Sequence, residues 1–190
     1  MKDMFRLIGT LTAICLIAGG LLAGVDALTR DRIAEVKRQR EQTARNAVLP
    51  DHDNTPQAVT VHHAGRDWEF HVVRKAGSFA GAAVETMSPN GYGGDIRLMV
   101  GFNATGESTG IAILEQKETP GLGANIDTPG FRDRFAGKDI EKTDWRVRKD
   151  GGDIDHITAA TISSRAATDA VREALEAYLA NRQQIENGGN

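Results

Sequence analysis

A single cysteine, Cys15, stands in the whole chain, which excludes an intrachain disulfide and any zinc or iron–sulfur site built on cysteine. There is no excess of positive charge: 23 basic side chains against 26 acidic ones leave a formal charge of -3, so no nucleic-acid partner is expected. The histidines, His52, His62, His63, His71 and His156, fall at no metal-ligand spacing, and His62 and His63 are neighbours on an expected strand with side chains on opposite faces. No Gly-x-Ser-x-Gly elbow supports a serine hydrolase, and no segment repeats. No metal site and no catalytic side chain are therefore expected. With 40% hydrophobic and 26% charged residues, the composition also excludes a fibrous or wholly disordered protein.

What the chain has is an uneven distribution of its apolar residues. Residues 7–25, LIGTLTAICLIAGGLLAGV, carry no charge and are bounded by Arg6 and Asp26. As a helix this stretch spans about 28 Å, close to the hydrocarbon thickness of a bilayer. It exceeds the apolar core of a cleaved signal peptide, so a retained single-pass anchor is expected. Cys15 reads as an apolar filler within it, because Ile14 stands where a lipoprotein box needs a small residue. Residues 26–49 lack glycine and proline and are rich in helix formers, which predicts a helical stalk ending before Pro50. Lys2 and Arg6 precede the span, whereas Arg30, Arg32, Lys37, Arg38 and Arg40 follow it. That bias favours a cytoplasmic C-terminal part, but long domains cross regardless of flanking charge, so the residues leave the sidedness open. The expected division is a tail at 1–6, a span at 7–25, a stalk at 26–49 and one domain at 50–190.

In that domain, residues 59–75 alternate about Ala64-Gly65-Arg66 and predict a hairpin, and 79–87 a further strand. Residues 95–102 and 108–116 flank a turn and read as a second antiparallel pair. A short helix is expected within 127–138, a late strand at 145–149, and a long helix over 163–183, where Ala167, Val171, Leu175, Tyr178 and Leu179 recur at three- and four-residue steps. Strands followed by helices predict an α+β domain with antiparallel strands and a C-terminal helix.

Three segments carry the candidate chemistry. Asn90-Gly91-Tyr92-Gly93-Gly94-Asp95 combines glycines, which permit close approach to a flat ligand, with a ring that can stack. Glu118-Thr119-Pro120-Gly121-Leu122-Gly123-Ala124 follows a strand, and Pro120-Gly121 specifies a tight turn with a positive φ at the glycine. The run from Asp155 to Ser164 opens the last helix with Thr158, Thr161, Ser163 and Ser164. One hydroxyl there serves as a helix cap; four exceed that need, and a helix N-terminus favours phosphate.

GYGG, ETPGLG and D-x-x-T-A-A-T, in this order behind one N-terminal span, resemble the FMN-binding RnfG proteins of Rnf ion-translocating electron-transport complexes. The related NqrC proteins of Na⁺-translocating NADH:quinone reductases share the last two motifs. The resemblance runs from the anchor to the final helix. It implies FMN esterified through its phosphate to Thr161 by a flavin transferase that uses FAD and recognises Asp155 and Thr158. Ala159 and Ala160 leave room there, though glycine is commoner at 159, which matters if that backbone takes a positive φ. Glu118, Thr119, Leu122 and Gly123 would line the isoalloxazine, with Gly91, Tyr92 and Gly93 as the opposite wall. The implied role is electron transfer on a route between ferredoxin and NAD, coupled to movement of Na⁺ or H⁺. The implied partners are the other Rnf subunits (A, B, C, D and E), the transferase and membrane lipid, with the domain on the periplasmic side of a bacterial inner membrane. A span without ionisable residues is a poor ion path, which places pumping in the partners. Two alternatives stay open: membership of the quinone reductase complex, and a non-redox membrane-anchored binding module in which Thr161 only caps a helix.

Overall fold

The computed structural model describes residues 2–188 and divides them into two compact units that meet between Glu41 and Gln42. The described residues of the first unit are all helical. Helix α1 spans Lys2–Val48, and its last turns belong to the second unit. It stops ahead of Pro50, which offers no N–H and disfavours helical backbone in the residue before it. Asp3–Val48 contains a window of mean hydropathy 2.1, none of it buried, so this helix is long and apolar enough to cross a membrane.

The second unit is built on five strands that are adjacent in space as in sequence, every pair antiparallel: β1 (Gln57–His63), β2 (Arg66–Lys75), β3 (Ser78–Ser88), β4 (Ile96–Asn103) and β5 (Ser108–Glu115). The first two hairpins close through Ala64-Gly65 and Ala76-Gly77. All four residues have positive φ, the twist that a two-residue turn needs to match its strands. Three helices follow: α2 (Pro129–Arg132), α3 (Thr161–Ala180) and α4 (Arg182–Glu186). The expected α+β architecture, with its apolar N-terminal helix, antiparallel strands and C-terminal helix, is the observed one.

Both faces of the sheet are covered. On one, Phe70, Val72, Val84, Leu98, Val100 and Phe102 pack against Ala167, Ala170, Val171, Ala174, Leu175 and Tyr178 of α3. On the other, Val73, Ala83, Met99, Ala112 and Leu114 lie beneath Ala44, Val48 and Leu49 at the end of α1. Burial on both faces accounts for the unbroken apolar run Leu98-Met99-Val100, because successive side chains point to opposite faces and neither meets water. Gly101 lets the helix end lie directly on β4: a Cβ there would fall on the Val48 carbonyl, which accepts from the Thr109 hydroxyl.

Residues 145–149 are not the expected strand. They form a single bridge, Val147 to Ile154, followed by one 3₁₀ turn at Arg148–Asp150. The alternation of Trp145 and Val147 reflects burial alone: Trp145 stacks 6.4 Å from Phe135, and among the described residues the segment has no ladder beyond that bridge. The helix expected over 163–183 begins earlier than its apolar period indicates, at Thr161, and is broken at Asn181 into α3 and α4.

One half-buried contact in this unit has a pH dependence. Arg45 Nη1 donates to His71 Nδ1 at 3.1 Å, so the imidazole is an acceptor and neutral. Burial first, then the Arg45 charge, lowers the His71 pKa from its ordinary 6.5, against weaker opposing pulls from Glu69 and Glu85. Below the unfolded value the unfolded chain takes up a proton that the folded chain refuses, so stability falls as the pH drops through 6.5 toward the folded pKa. Urea melts of wild type and His71→Asn at pH 7 and pH 5 are expected to show a smaller acid loss in the variant. An equal loss in both would mean that His71 contributes nothing to it.

Candidate functional site

The three segments singled out in the sequence come together around one carboxylate. Glu118 follows β5 and is only 5% exposed. Its Oε1 accepts from the Gly93 N–H at 2.7 Å; its Oε2 accepts from the Tyr92 N–H at 3.3 Å and from the Ser163 hydroxyl. These bonds join residues 25, 26 and 45 positions apart. Three glycines are required around this carboxylate. A Cβ at Gly123 would strike Ser163 Oγ and the Glu118 carboxylate, one at Gly91 would strike the Gly94 carbonyl and Glu118 Oε1, and one at Gly93 would strike the Lys117 carbonyl. They therefore allow the protein to close on itself, which differs from the open approach to a ligand that their spacing indicates.

The turn after Glu118 is the expected one. Gly121 has φ 76°, and the N–H groups of Leu122 and Ala124 both donate to the Thr119 carbonyl at 3.1 Å. This geometry turns Leu122 outward and leads into a 3₁₀ helix at Gly123–Asp127.

The hydroxyl-rich run is held mainly by Ser164, which is fully buried. Its Oγ accepts from the Ile157 N–H and donates to the Ala160 carbonyl, both at 2.9 Å. A second bond, from the Ala160 N–H to the Ile157 carbonyl at 3.0 Å, closes a four-residue turn with Ala159 in its third position. Ala159 has φ 64° there, the left-handed conformation that favours glycine. The N-cap of α3 is Ala160, whose side chain has no acceptor, so Thr161 is the first helical residue and not the cap. This removes the expectation that Thr161 serves only as a helix cap.

Between these segments lies an open cavity of about 550 Å³, within the usual range for small-molecule sites. One wall is Glu118, Thr119, Leu122 and Gly123; the other is Ala159, Ala160, Thr161, Ile162 and Ser163; Tyr92 stands at the edge. Tyr92 is 72% exposed, Ile162 48% and Leu122 45%, so three large apolar side chains surround the opening in solvent. Gly91 and Gly93 sit behind this surface on Glu118, and Thr158 and Asp155 lie outside the cavity. Asp155 pairs with Arg148 at 3.1 Å, and its carbonyl accepts from Arg134 at 2.7 Å. Ile162 and Ser163 also line the cavity, although the resemblance assigned neither to the flavin site. An apolar residue at the second position of a hydroxyl-rich helix start was a readable signal for Ile162, whereas Ser163 takes its role from a partner far away in sequence.

The chemistry of these walls fits a flat, largely apolar group attached to an anionic tail. The rim supplies apolar contacts, while the first turn of α3 supplies N–H groups and the positive end of a helix dipole beside the Thr161 hydroxyl. Replacing Ala159 by glycine is expected to relieve its backbone strain and stabilise the domain by about 1 kcal/mol. Thermal melting would show this as a Tm several degrees higher, with Ala159→Val shifted the opposite way.

Residues 91–176 match the family described as an FMN-binding domain, and residues 1–48 match that described as the RnfG N-terminal region. The G subunit of the ion-translocating oxidoreductase complex of Aliivibrio fischeri is 34% identical over 190 residues, covering 93% of this chain and 90% of the relative. That of Shewanella baltica is 35% identical over 200 residues, covering 97% and 94%. Among solved structures, the C subunit of the Na⁺-translocating NADH-quinone reductase from Parabacteroides distasonis aligns with a TM-score of 0.60 at 18% identity, over 78% of this chain and 94% of that one. Shewanella oneidensis NqrC aligns with a TM-score of 0.54 at 19% identity, over 76% and 74%. At such identities the two structures show a shared fold.

Proposed function

Because the chain belongs to the RnfG family of ion-translocating oxidoreductase complexes and carries an FMN-binding domain, we propose that it holds FMN covalently through a phosphoester to Thr161 and passes electrons within such a complex. The observation that carries this reading is the position of Thr161, at the cavity wall and on the first turn of an uncapped helix. A phosphate esterified there meets backbone N–H groups and a helix dipole without requiring a basic side chain. A flavin transferase would break the pyrophosphate of FAD, join the FMN phosphorus to the Thr161 oxygen and release AMP and the hydroxyl proton. Asp155 and Thr158, exposed and outside the cavity, are the positions such an enzyme would read.

Bound flavin supplies the one- and two-electron chemistry that these side chains lack. The chain's own residues bind and orient. Glu118, Thr119, Leu122 and Gly123 form one side of the ring site and Tyr92 an edge, while Gly91 and Gly93 fix the loop that carries Tyr92. Ala159 and Ala160 keep the approach to Thr161 open. The electron route runs between ferredoxin and NAD through the other Rnf subunits (A, B, C, D and E), with the domain on the periplasmic side of the inner membrane. Residues 7–25 hold it in lipid, and since they include no Asp, Glu, Lys, Arg or His, the Na⁺ or H⁺ path belongs to the partners.

The test is a denaturing gel of the full chain, expressed with and without an active flavin transferase and viewed under ultraviolet light. Fluorescence that survives denaturation only with the transferase is the expected result, with the mass of FMN recovered on the peptide carrying Thr161. A dark band beside a fluorescent control substrate would overturn the covalent assignment.

A further inference from the structure

Glu118 is the one charged side chain lining the cavity. It is buried, forms no ion pair among the described residues, and is held by two backbone N–H groups and a serine hydroxyl. Both of its oxygens accept, which a carboxylate does and an amide, with one oxygen and one N–H₂ group, does not. The three donors therefore face a negative charge, and it is placed where water screens it poorly.

We infer that Glu118 lowers the reduction potential of the flavin. The inference rests on FMN occupying this cavity. Reduction of the neutral ring by two electrons and one proton leaves a net negative charge on it, whereas two electrons and two protons leave none. A carboxylate bordering the same volume raises the energy of the first product and leaves the second nearly unchanged. Reduction becomes harder, and the charged product is disfavoured against the neutral one. Glu118 thus acts on the ring by charge as well as by shaping its site.

Reductive titration with dithionite against reference dyes tests this on the full chain, loaded by co-expressed transferase and purified in detergent. Glu118→Gln keeps the size, removes the charge and sets one N–H₂ against a donor; Glu118→Asp keeps the charge and shortens the reach. The glutamine variant is expected to titrate at a clearly higher potential than wild type, and the aspartate variant close to wild type. Equal potentials for the glutamine variant and wild type, or an aspartate variant that moves with the glutamine one, would overturn the assignment. Should Glu118→Gln fail to accumulate, Ser163→Ala decides. It removes one donor and leaves the charge less shielded, so its potential is expected below wild type, and a rise or no change refutes the inference. A wild-type band without covalent fluorescence would instead refute the FMN reading, before any titration begins.

Discussion

Replacing Thr161 by alanine is expected to abolish covalent flavin entirely while leaving the fold intact. Thr161 is half-buried at the cavity wall, and its hydroxyl has no hydrogen-bond partner among the described residues, so its loss costs no internal bond. The N-cap is Ala160, so α3 also keeps its start. The neighbouring hydroxyls cannot take over. Ser163 is 2% exposed and donates to Glu118, while Ser164 is fully buried and holds the Ile157–Ala160 turn. Thr158 is exposed but lies outside the cavity. In-gel fluorescence with active transferase is thus expected to fall to background in Thr161→Ala and to persist in part in Thr161→Ser, which keeps a hydroxyl at the same place. A melting temperature within a degree or two of wild type would confirm that only the attachment point was removed. Residual labelling of Thr161→Ala would move the attachment to another side chain.

The largest loss of stability is expected at the other end of the same helix. Tyr178 is fully buried, its ring centroid 4.0 Å from that of Phe102 and 6.2 Å from that of Phe70. Its hydroxyl donates to Glu186 Oε1 at 3.0 Å. Tyr178→Ala removes the ring that seats α3 on the sheet, and truncations of buried aromatics cost about 3–5 kcal/mol. Domains of this size are stable by only about 5–15 kcal/mol, so most of the margin would go. Tyr178→Phe keeps the ring and loses one hydrogen bond, about 1 kcal/mol, because Glu186 still accepts from Arg182 at 2.7 Å. Denaturant midpoints of the three proteins should fall in that order. Similar midpoints for the alanine and phenylalanine variants would show that the hydroxyl, and not the ring, supports the helix. Because α3 carries Thr161 on its first turn, the alanine variant should also label poorly, through loss of the folded domain.

The two variants separate what was legible in the sequence from what was not. The spacing of Ala167, Val171, Leu175 and Tyr178 marks α3 before any coordinates, because a helix returns every third or fourth side chain to the same face. The hairpins were legible for a similar local reason: alternation with a turn of fixed chemistry between two strands. The apolar anchor and the order of GYGG, ETPGLG and D-x-x-T-A-A-T also lie within short stretches of chain. Alternation at Trp145 and Val147 misled because it records one-sided burial, which a chain without a strand partner also shows.

By itself, then, the sequence determined the apolar anchor, the five strands, the body of α3 and the family's motifs, since each depends on residues a few positions apart. Tertiary structure alone decided which glycines approach Glu118, where α3 begins, that Ala159 is left-handed, and that the end of α1 covers a sheet face. The reason is distance along the chain. Glu118 meets Gly93 and Ser163 across 25 and 45 residues, and such contacts are set by the packing of whole elements, for which no local spacing carries a signal.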